Sequence, residues 1–347
     1  MTATEAPAEV IDDREGNTQV SSAAAPGGPS IATGPLSGPS VRPPEPGAID
    51  ISRTKKRYGE RVVLALLGGS AALSVGITIA IVVALVRPSI NFFREVPVLD
   101  FLTGSRWAPT FADPDFGVLP LVTGTLWTTF IGLLIAVPFG LGAAVYLSEY
   151  AHERVRRILK PVLEILAGIP SVVYGYFALY FVAPVLLNDL LSLEVGTFSV
   201  LAAGLVLGVM IIPTVASLSE DAMSAVPQAL RQGSYALGAN RMRTTLRVVF
   251  PAAISGITAS IVLALSRAVG ETMIVALAAG TRAQVVTAPT GNGQTMTGFI
   301  AQTATGESTP GTLTYNTLFA VGLLLFVITL IINLIAASIV RRIREVY

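Results

Sequence analysis

From Val62 onward the chain alternates between long apolar runs and short polar, basic breaks. A helix needs about 20 apolar residues to cross the hydrocarbon core of a bilayer, and six runs reach that length. Val62–Val86 and Val195–Ser219 carry no charge. Gly117–Ser148 carries none either and exceeds the minimum, so it is expected to tilt, or to bend at Pro138. Ile165–Asn188 lies between Glu164 and Asp189. Val248–Gly280 is apolar except for Arg267 and Glu271, and Leu318–Val340 closes the series. Lipid offers backbone groups no partner, so such runs satisfy their own hydrogen bonds as helices. The pattern predicts an all-α integral membrane protein with six transmembrane helices.

The first 50 residues are of another kind. They hold eight of the 22 prolines, no aromatic residue and an excess of acidic over basic side chains. Such a stretch buries too little apolar surface to offset its chain entropy. It has no basic segment followed by an apolar one, so it is not read as a signal peptide. Three parts are expected: a disordered tail over 1–57, a first transmembrane helix with its outer loop over 58–116, and a transmembrane domain over 117–347.

Charge sets the orientation. Sixteen Lys and Arg flank the spans on one side: Arg53, Lys55, Lys56, Arg57 and Arg61, then Arg154, Arg156, Arg157 and Lys160, then four in 225–251, then Arg341, Arg342 and Arg344. The other side has four: Arg87, Arg94, Arg106 and Arg282. The positive-inside rule therefore predicts a plasma-membrane protein with both termini cytoplasmic, which agrees with an even number of spans.

Composition narrows the chemistry. Charged residues make up 13% of the chain, about half the share in soluble domains. There is no Cys, and the one His, His152, stands beside Glu153 in a predicted cytoplasmic turn. Thiolate, metal and Cys/His nucleophile chemistry are not expected, and a membrane-embedded hydrolase has no base to work with. Three lysines without a G-x-x-x-x-G-K-[ST] run exclude a nucleotide-binding P-loop. No cofactor and no catalytic residue are predicted on this chain, and no nucleic acid as partner.

Two outer loops stand out. Pro88–Phe116 is aromatic and broken by prolines, and is expected at the outer interface. Thr281–Thr314 is rich in Thr and Gly, with room for a short helix over Met296–Gln302. They read either as contact surfaces for an extracytoplasmic partner or as plain connectors.

The segment Ala225–Pro251 is the longest basic stretch between two runs. It carries Arg231, Arg241, Arg243 and Arg247 and no acidic residue. It reads as a short helix over Gln228–Leu237, a turn at Gly238-Ala239-Asn240 with Gly238 at positive φ, and a second helix from Met242 toward Pro251. This spacing resembles the coupling segment of importer-type ABC permeases: Glu-Ala-Ala, three residues, Gly, nine residues, Ile-x-Leu-Pro. Gln232, Gly233 and Ser234 take the first three positions, Gly238 the glycine, and Val248, Phe250 and Pro251 the end. The resemblance implies that this knob docks in a cleft of an ATPase subunit. Gln232 replaces the usual Glu and Gly-Ser the Ala pair, which keeps small residues but removes a carboxylate.

Within the fifth run, Ser260, Ala264, Arg267 and Glu271 follow at helical spacing and share a predicted face. A lone charge at mid-bilayer costs about 2.5–3.5 kcal/mol on insertion scales, and an (i, i+4) pair neutralises itself. Two readings stay open: Arg267 is an anion ligand held by Glu271 until the anion arrives, or the pair only fixes helix packing. Tyr174 and Tyr176 read as path-lining residues or as helix and lipid contacts.

Ser266-Arg267-Ala268-Val269-Gly270-Glu271-Thr272 resembles the Arg-Ala-x-Gly-Glu-Thr motif of the PstC/PstA group of phosphate permeases. Leu119–Leu126, Tyr146–Ala151 and Leu166–Gly175 are similar to that group's other motifs, and the likeness covers the chain from about Tyr58 onward, leaning to the PstC branch. It implies a MetI-like ABC permease core with an added N-terminal transmembrane helix. It further implies import of inorganic phosphate through a path shared with a PstA-like permease, driven by an ABC ATPase dimer that uses ATP and fed by an extracytoplasmic phosphate-binding protein. Arg267 and Glu271 would line the path. Gln232, Gly233, Ser234, Gly238 and Pro251 would meet the ATPase. The alternatives are another oxyanion, molybdate or sulfate, and a non-transporting membrane scaffold.

Overall fold

Apolar runs that satisfy their own backbone give long helices, and the computed structural model of the chain is helical almost throughout the residues it describes: 58–306, 309 and 311–343. The acidic tail over 1–57, with Arg53, Lys55, Lys56 and Arg57, lies outside them, as does Arg344. By compactness the chain divides after Val63, and the larger unit begins at Leu64.

Helix α1, Tyr58–Glu95, continues past the predicted end of the first run with Pro88 inside it. Every residue from Leu64 to Ile81 is exposed. The Ser70 hydroxyl donates to the Leu66 carbonyl at 2.9 Å and that of Thr78 to Ser74 at 3.0 Å, so neither needs water. Only the C-terminal end of α1 packs. There Phe92 meets Phe101 of α2 (Val98–Thr103) and Phe116, edge to face, at 5.6 and 5.4 Å. Trp107 meets Phe299 at 5.0 Å. Trp107 lies on β1 (Trp107–Ala108), which pairs antiparallel with β2 (Asp115–Phe116). The loop over 88–116 is a small folded cap with a buried aromatic core.

The centre of the fold is the pair α3, Leu119–Val145, and α6, Val200–Ser224. A seam of small residues lets their backbones approach. A Cβ on Gly204 would fall 2.7 Å from the Ile131 Cβ, and one on Gly208 2.9 Å from the Gly132 carbonyl oxygen. Gly204 and Gly208 form a G-x-x-x-G stripe, which suits helices that associate by close packing in lipid. Gln294 and Thr295 from the outer loop lie over the start of α3, where the Thr125 hydroxyl accepts from the Met296 amide at 3.0 Å. They lead into α12, Met296–Thr305, the short helix expected there. The last run is α13, Leu313–Ile343.

Three runs depart from the expected spans. The third begins later, because Gly168-Ile169-Pro170 breaks the chain: proline has no amide hydrogen for a helix interior and restricts the residue before it. Ahead of the break lies the amphipathic α4, Glu153–Ala167, where a loop and the start of the span were expected. Beyond it, α5 (Ser171–Phe177) runs into a π-helical stretch to Leu190. The fourth run starts and ends about a turn later than predicted, which brings Glu220 onto α6.

The fifth run is not one helix. Behind α8 (Arg241–Thr244) of the basic segment and a π turn over Thr245–Val249, it divides into α9 (Phe250–Ala252), α10 (Ile254–Val269) and α11 (Met273–Ala278). The chain turns by 70° between α9 and α10. Among the described residues, five helices are long and apolar enough to span a membrane, and six if this bent pair counts as one.

Candidate functional site

The break after α10 decides what the membrane-depth charges do. Gly270 ends the helix, so Glu271 leaves the α10 face. Its Oε1 accepts from the Met273 and Ile274 amides at 3.1 and 3.3 Å. A carboxylate there satisfies two of the amides that the first turn of α11 leaves open. Arg267, in the last turn of α10, donates from Nη1 to the Thr214 hydroxyl at 3.0 Å. Among the described residues no ion pair joins Arg267 to Glu271. The predicted self-neutralising pair is therefore corrected: the helix ends before the (i, i+4) geometry is completed. Ser260 and Ala264 are buried, Ser260 sharing a hydrogen bond of 2.7 Å with Ser219 of α6, while Arg267 is exposed. Among the described residues, what remains is a guanidinium at the broken middle of the fifth span with one hydroxyl partner. Tyr174 donates to the Leu166 carbonyl at 3.0 Å and is a helix contact, whereas Tyr176 is exposed and stacks on Tyr180.

The basic segment forms the expected knob. Helix α7, Gln228–Ala236, ends in a Schellman turn: the Gly238 amide donates to the Tyr235 carbonyl at 2.9 Å and the Ala239 amide to that of Ser234 at 3.2 Å. Gly238 stands at φ +81°, as the turn requires. Asn240 then caps α8, its Oδ1 accepting from the Arg243 amide at 2.8 Å. The Ser234 and Thr244 hydroxyls join the two arms at 2.9 Å. Gln232, Gly233 and Pro251 are exposed and Ser234 is half-buried. Leu237 is 90% exposed, and Met242 and Leu246 are exposed as well. The knob thus exposes apolar and small residues together with Arg241, Arg243 and Arg247.

Sequence reasoning missed the charges beneath the knob. Arg231 is only 7% exposed and donates to the Met223 carbonyl at 2.8 Å and to the Val226 carbonyl. It also pairs with Glu149, 5% exposed, at 3.0 Å. Glu149 sits on the π turn Tyr146–Tyr150 that ends the α3 span. Glu220 is wholly buried and takes Arg156 and Lys160 of α4, the lysine at 2.8 Å, with Asp221 a second partner for Lys160 at 2.7 Å. Hydrogen bonds to Asp221 and Glu220 raise the Lys160 pKa above the ordinary lysine value. His152 precedes α4 as an exposed residue whose side chain caps nothing. The available signal was the lone acid Glu149 within Tyr146–Ala151, and the acidic pair Glu220-Asp221 just past the end of the fourth run.

On the side of α12, a cleft of about 890 Å³ is lined by Arg106, Arg282, Trp107, Gln294 and Gln302 among others. It gathers two of the four arginines assigned to the outer side. No cluster of His, Asp or Glu able to hold a metal occurs among the described residues.

The family described as binding-protein-dependent transport system inner membrane component matches residues 136–345. The probable ABC transporter permease protein YqgH of Bacillus subtilis is 36% identical over 287 residues, covering 82% of this chain and 92% of the relative. The phosphate transport system permease protein PstC of Mesorhizobium japonicum is 35% identical over 260 residues, 70% of this chain and 78% of the relative. PstC 1 of Mycobacterium tuberculosis, a phosphate transport system permease protein, is 35% identical over 280 residues, covering 71% and 82%. Among solved structures, a bacterial alginate ABC transporter in complex with an alginate pentasaccharide-bound periplasmic protein aligns over 83% of this chain and 98% of its own, with a TM-score of 0.58 and 16% identity. That likeness is one of fold.

Proposed function

The chain belongs to the family of binding-protein-dependent transport system inner membrane components, and on that premise we propose that it is a permease subunit of an ATP-driven importer of inorganic phosphate. Its relatives named as phosphate transport permeases support the solute. The observation that carries the reading is Arg267: a guanidinium in the middle of a broken span, left uncompensated because Glu271 is engaged in capping α11. An arginine fork matches two oxygens of a tetrahedral oxyanion. A bound anion would supply the charge that the bilayer makes costly to leave bare.

The path is shared with a second, PstA-like permease, which would face the exposed Arg267 surface. An ABC ATPase dimer uses ATP and grips the knob at Gln232, Gly233, Ser234, Gly238 and Pro251. A phosphate-binding protein docks on the opposite side. This chain binds neither nucleotide nor metal. Both termini are cytoplasmic. ATP binding displaces the knob, and the broken fifth span opens the Arg267 region to each side in turn, an equilibrium biased by ligands that favour one state.

The test is phosphate uptake by the assembled complex in proteoliposomes, normalised to permease. Arg267→Gln should lower uptake about 10–100-fold, the loss of a charge-assisted contact. Glu271→Gln should keep most of it, since an amide oxygen still caps α11. The double variant should stay as low as Arg267→Gln. Near-normal uptake in the double variant would reduce the two residues to a packing role. Full competition by excess sulfate or molybdate would shift the solute to another oxyanion.

A further inference from the structure

Of the four arginines in the knob, three are exposed and Arg231 alone is buried. It immediately precedes Gln232-Gly233-Ser234, so it lies on the helix that the ATPase would grip. Its guanidinium holds two other elements. By donating to the Met223 and Val226 carbonyls it closes the C-terminal end of α6, where orphan carbonyls and the negative end of the helix dipole favour a cation. By pairing with Glu149 it holds the inner end of the α3 span. A second contact backs the first: the Arg241 guanidinium lies over the Tyr150 ring, 5.1 Å from its centroid, on the same π turn. The glycine seam packs α3 and α6 against each other, so a displacement of their ends moves both.

We propose that Arg231 is a strut that makes the knob, the π turn Tyr146–Tyr150 and the inner end of α6 one rigid body, so that the ATPase drives the α3–α6 pair directly through the Arg231–Glu149 pair. This rests on the transport reading above. The chain offers a softer route, the covalent one from α8 through the 70° turn into α10. Both routes contain a π turn, but the covalent one also turns by 70°, whereas the strut joins two span ends through a buried ion pair. Separating Arg231 from Glu149 would strand two charges that solvent barely reaches, and that is why the pair resists a load. Arg231 touches no solute in this scheme; it is a positioning residue.

The rigid-body claim has a direct test, made clean by the absence of cysteine from the chain. Ser148 and Gln228 line one small cavity of about 260 Å³ beside Arg231, one on the π turn and the other on α7. In the full complex in proteoliposomes, Ser148→Cys and Gln228→Cys are joined with a short bis-maleimide. Uptake and ATP hydrolysis are read in the same vesicles, using whichever oxyanion the unmodified complex imports. Expected is at least half of normal uptake after cross-linking, because the joined parts do not move apart. Loss of uptake confined to the cross-linked fraction would overturn the proposal. Alongside, Glu149→Gln should assemble and hydrolyse ATP yet import at least 5-fold less solute per ATP, and Arg231→Lys should recover part of that ratio relative to Arg231→Met. An unchanged ratio in Glu149→Gln and Arg231→Met would leave the pair merely structural and also overturn it. Failure of the phosphate reading shows separately, as an unmodified complex that imports a different anion.

Discussion

At the scale of single residues, a backbone angle and a helix end outweigh the side chains that attract notice in the sequence. Gly238 was legible, because a glycine between two short helices in a basic segment calls for positive φ, and it stands at +81°. A Cβ there meets no atom within 4 Å, so a substitution acts through the backbone alone. Left-handed backbone costs an L-residue about 1–2 kcal/mol, less for Asn. Gly238→Val is therefore expected to reduce the binding-protein-stimulated ATP hydrolysis of the assembled complex several-fold, while Gly238→Asn stays close to the parent. Equal activity in all three would show that the turn does not govern coupling. The Arg267–Glu271 pair was legible only as two charges in an apolar run. Periodicity assumes that the helix continues, and nothing in the spacing says that Gly270 ends it and turns Glu271 to the amides of α11.

At the scale of elements, the seam between α3 and α6 carries the fold. Gly204→Val would place carbon 2.7 Å from the Ile131 Cβ and 3.2 Å from the Thr128 carbonyl oxygen. Overpacking of this kind costs about 1–3 kcal/mol, read as a lower melting temperature of the purified protein in detergent. Gly142→Ala on α3 is the matched control: its Cβ meets nothing within 4 Å, so it should be neutral or stabilising by up to ~1 kcal/mol. The junction of α4 with α6 has its own signature. The folded state raises the Lys160 pKa through Asp221 and Glu220. Its contribution is therefore full below the ordinary lysine value of about 10.4 and is lost as pH rises through the raised one. The melting temperature should fall more steeply above pH ~10.4 in the parent than in Lys160→Met, and identical profiles would remove Lys160 from the account. Neither feature was visible beforehand. Glycine spacing reports a small face but not its partner, and Glu220 lay outside the predicted span.

At the scale of the whole molecule, the apolar runs announced the class, the number of spans and the position of the knob, because desolvation of a backbone in lipid leaves few solutions. The breaks were not announced, because glycine and proline inside an apolar run are tolerated where neighbouring helices re-satisfy the backbone, and only packing decides which of them interrupts it. The charge distribution remains the basis for orientation, and the structure supplies sites at which to test it. Asp113 is exposed between β1 and β2, Ala288 is exposed in the loop that precedes α12, and His152 is exposed ahead of α4 with a side chain that caps nothing. With sixteen Lys and Arg on the side of His152 against four on the other, the positive-inside rule predicts Asp113 and Ala288 outside and His152 in the cytoplasm. In a chain without native cysteine, Asp113→Cys and Ala288→Cys should react with a membrane-impermeant maleimide in intact cells, whereas His152→Cys should react only after permeabilisation. Labelling of His152→Cys in intact cells would invert the protein, placing the knob on the side away from ATP and removing the ground for ATP-driven import together with the orientation.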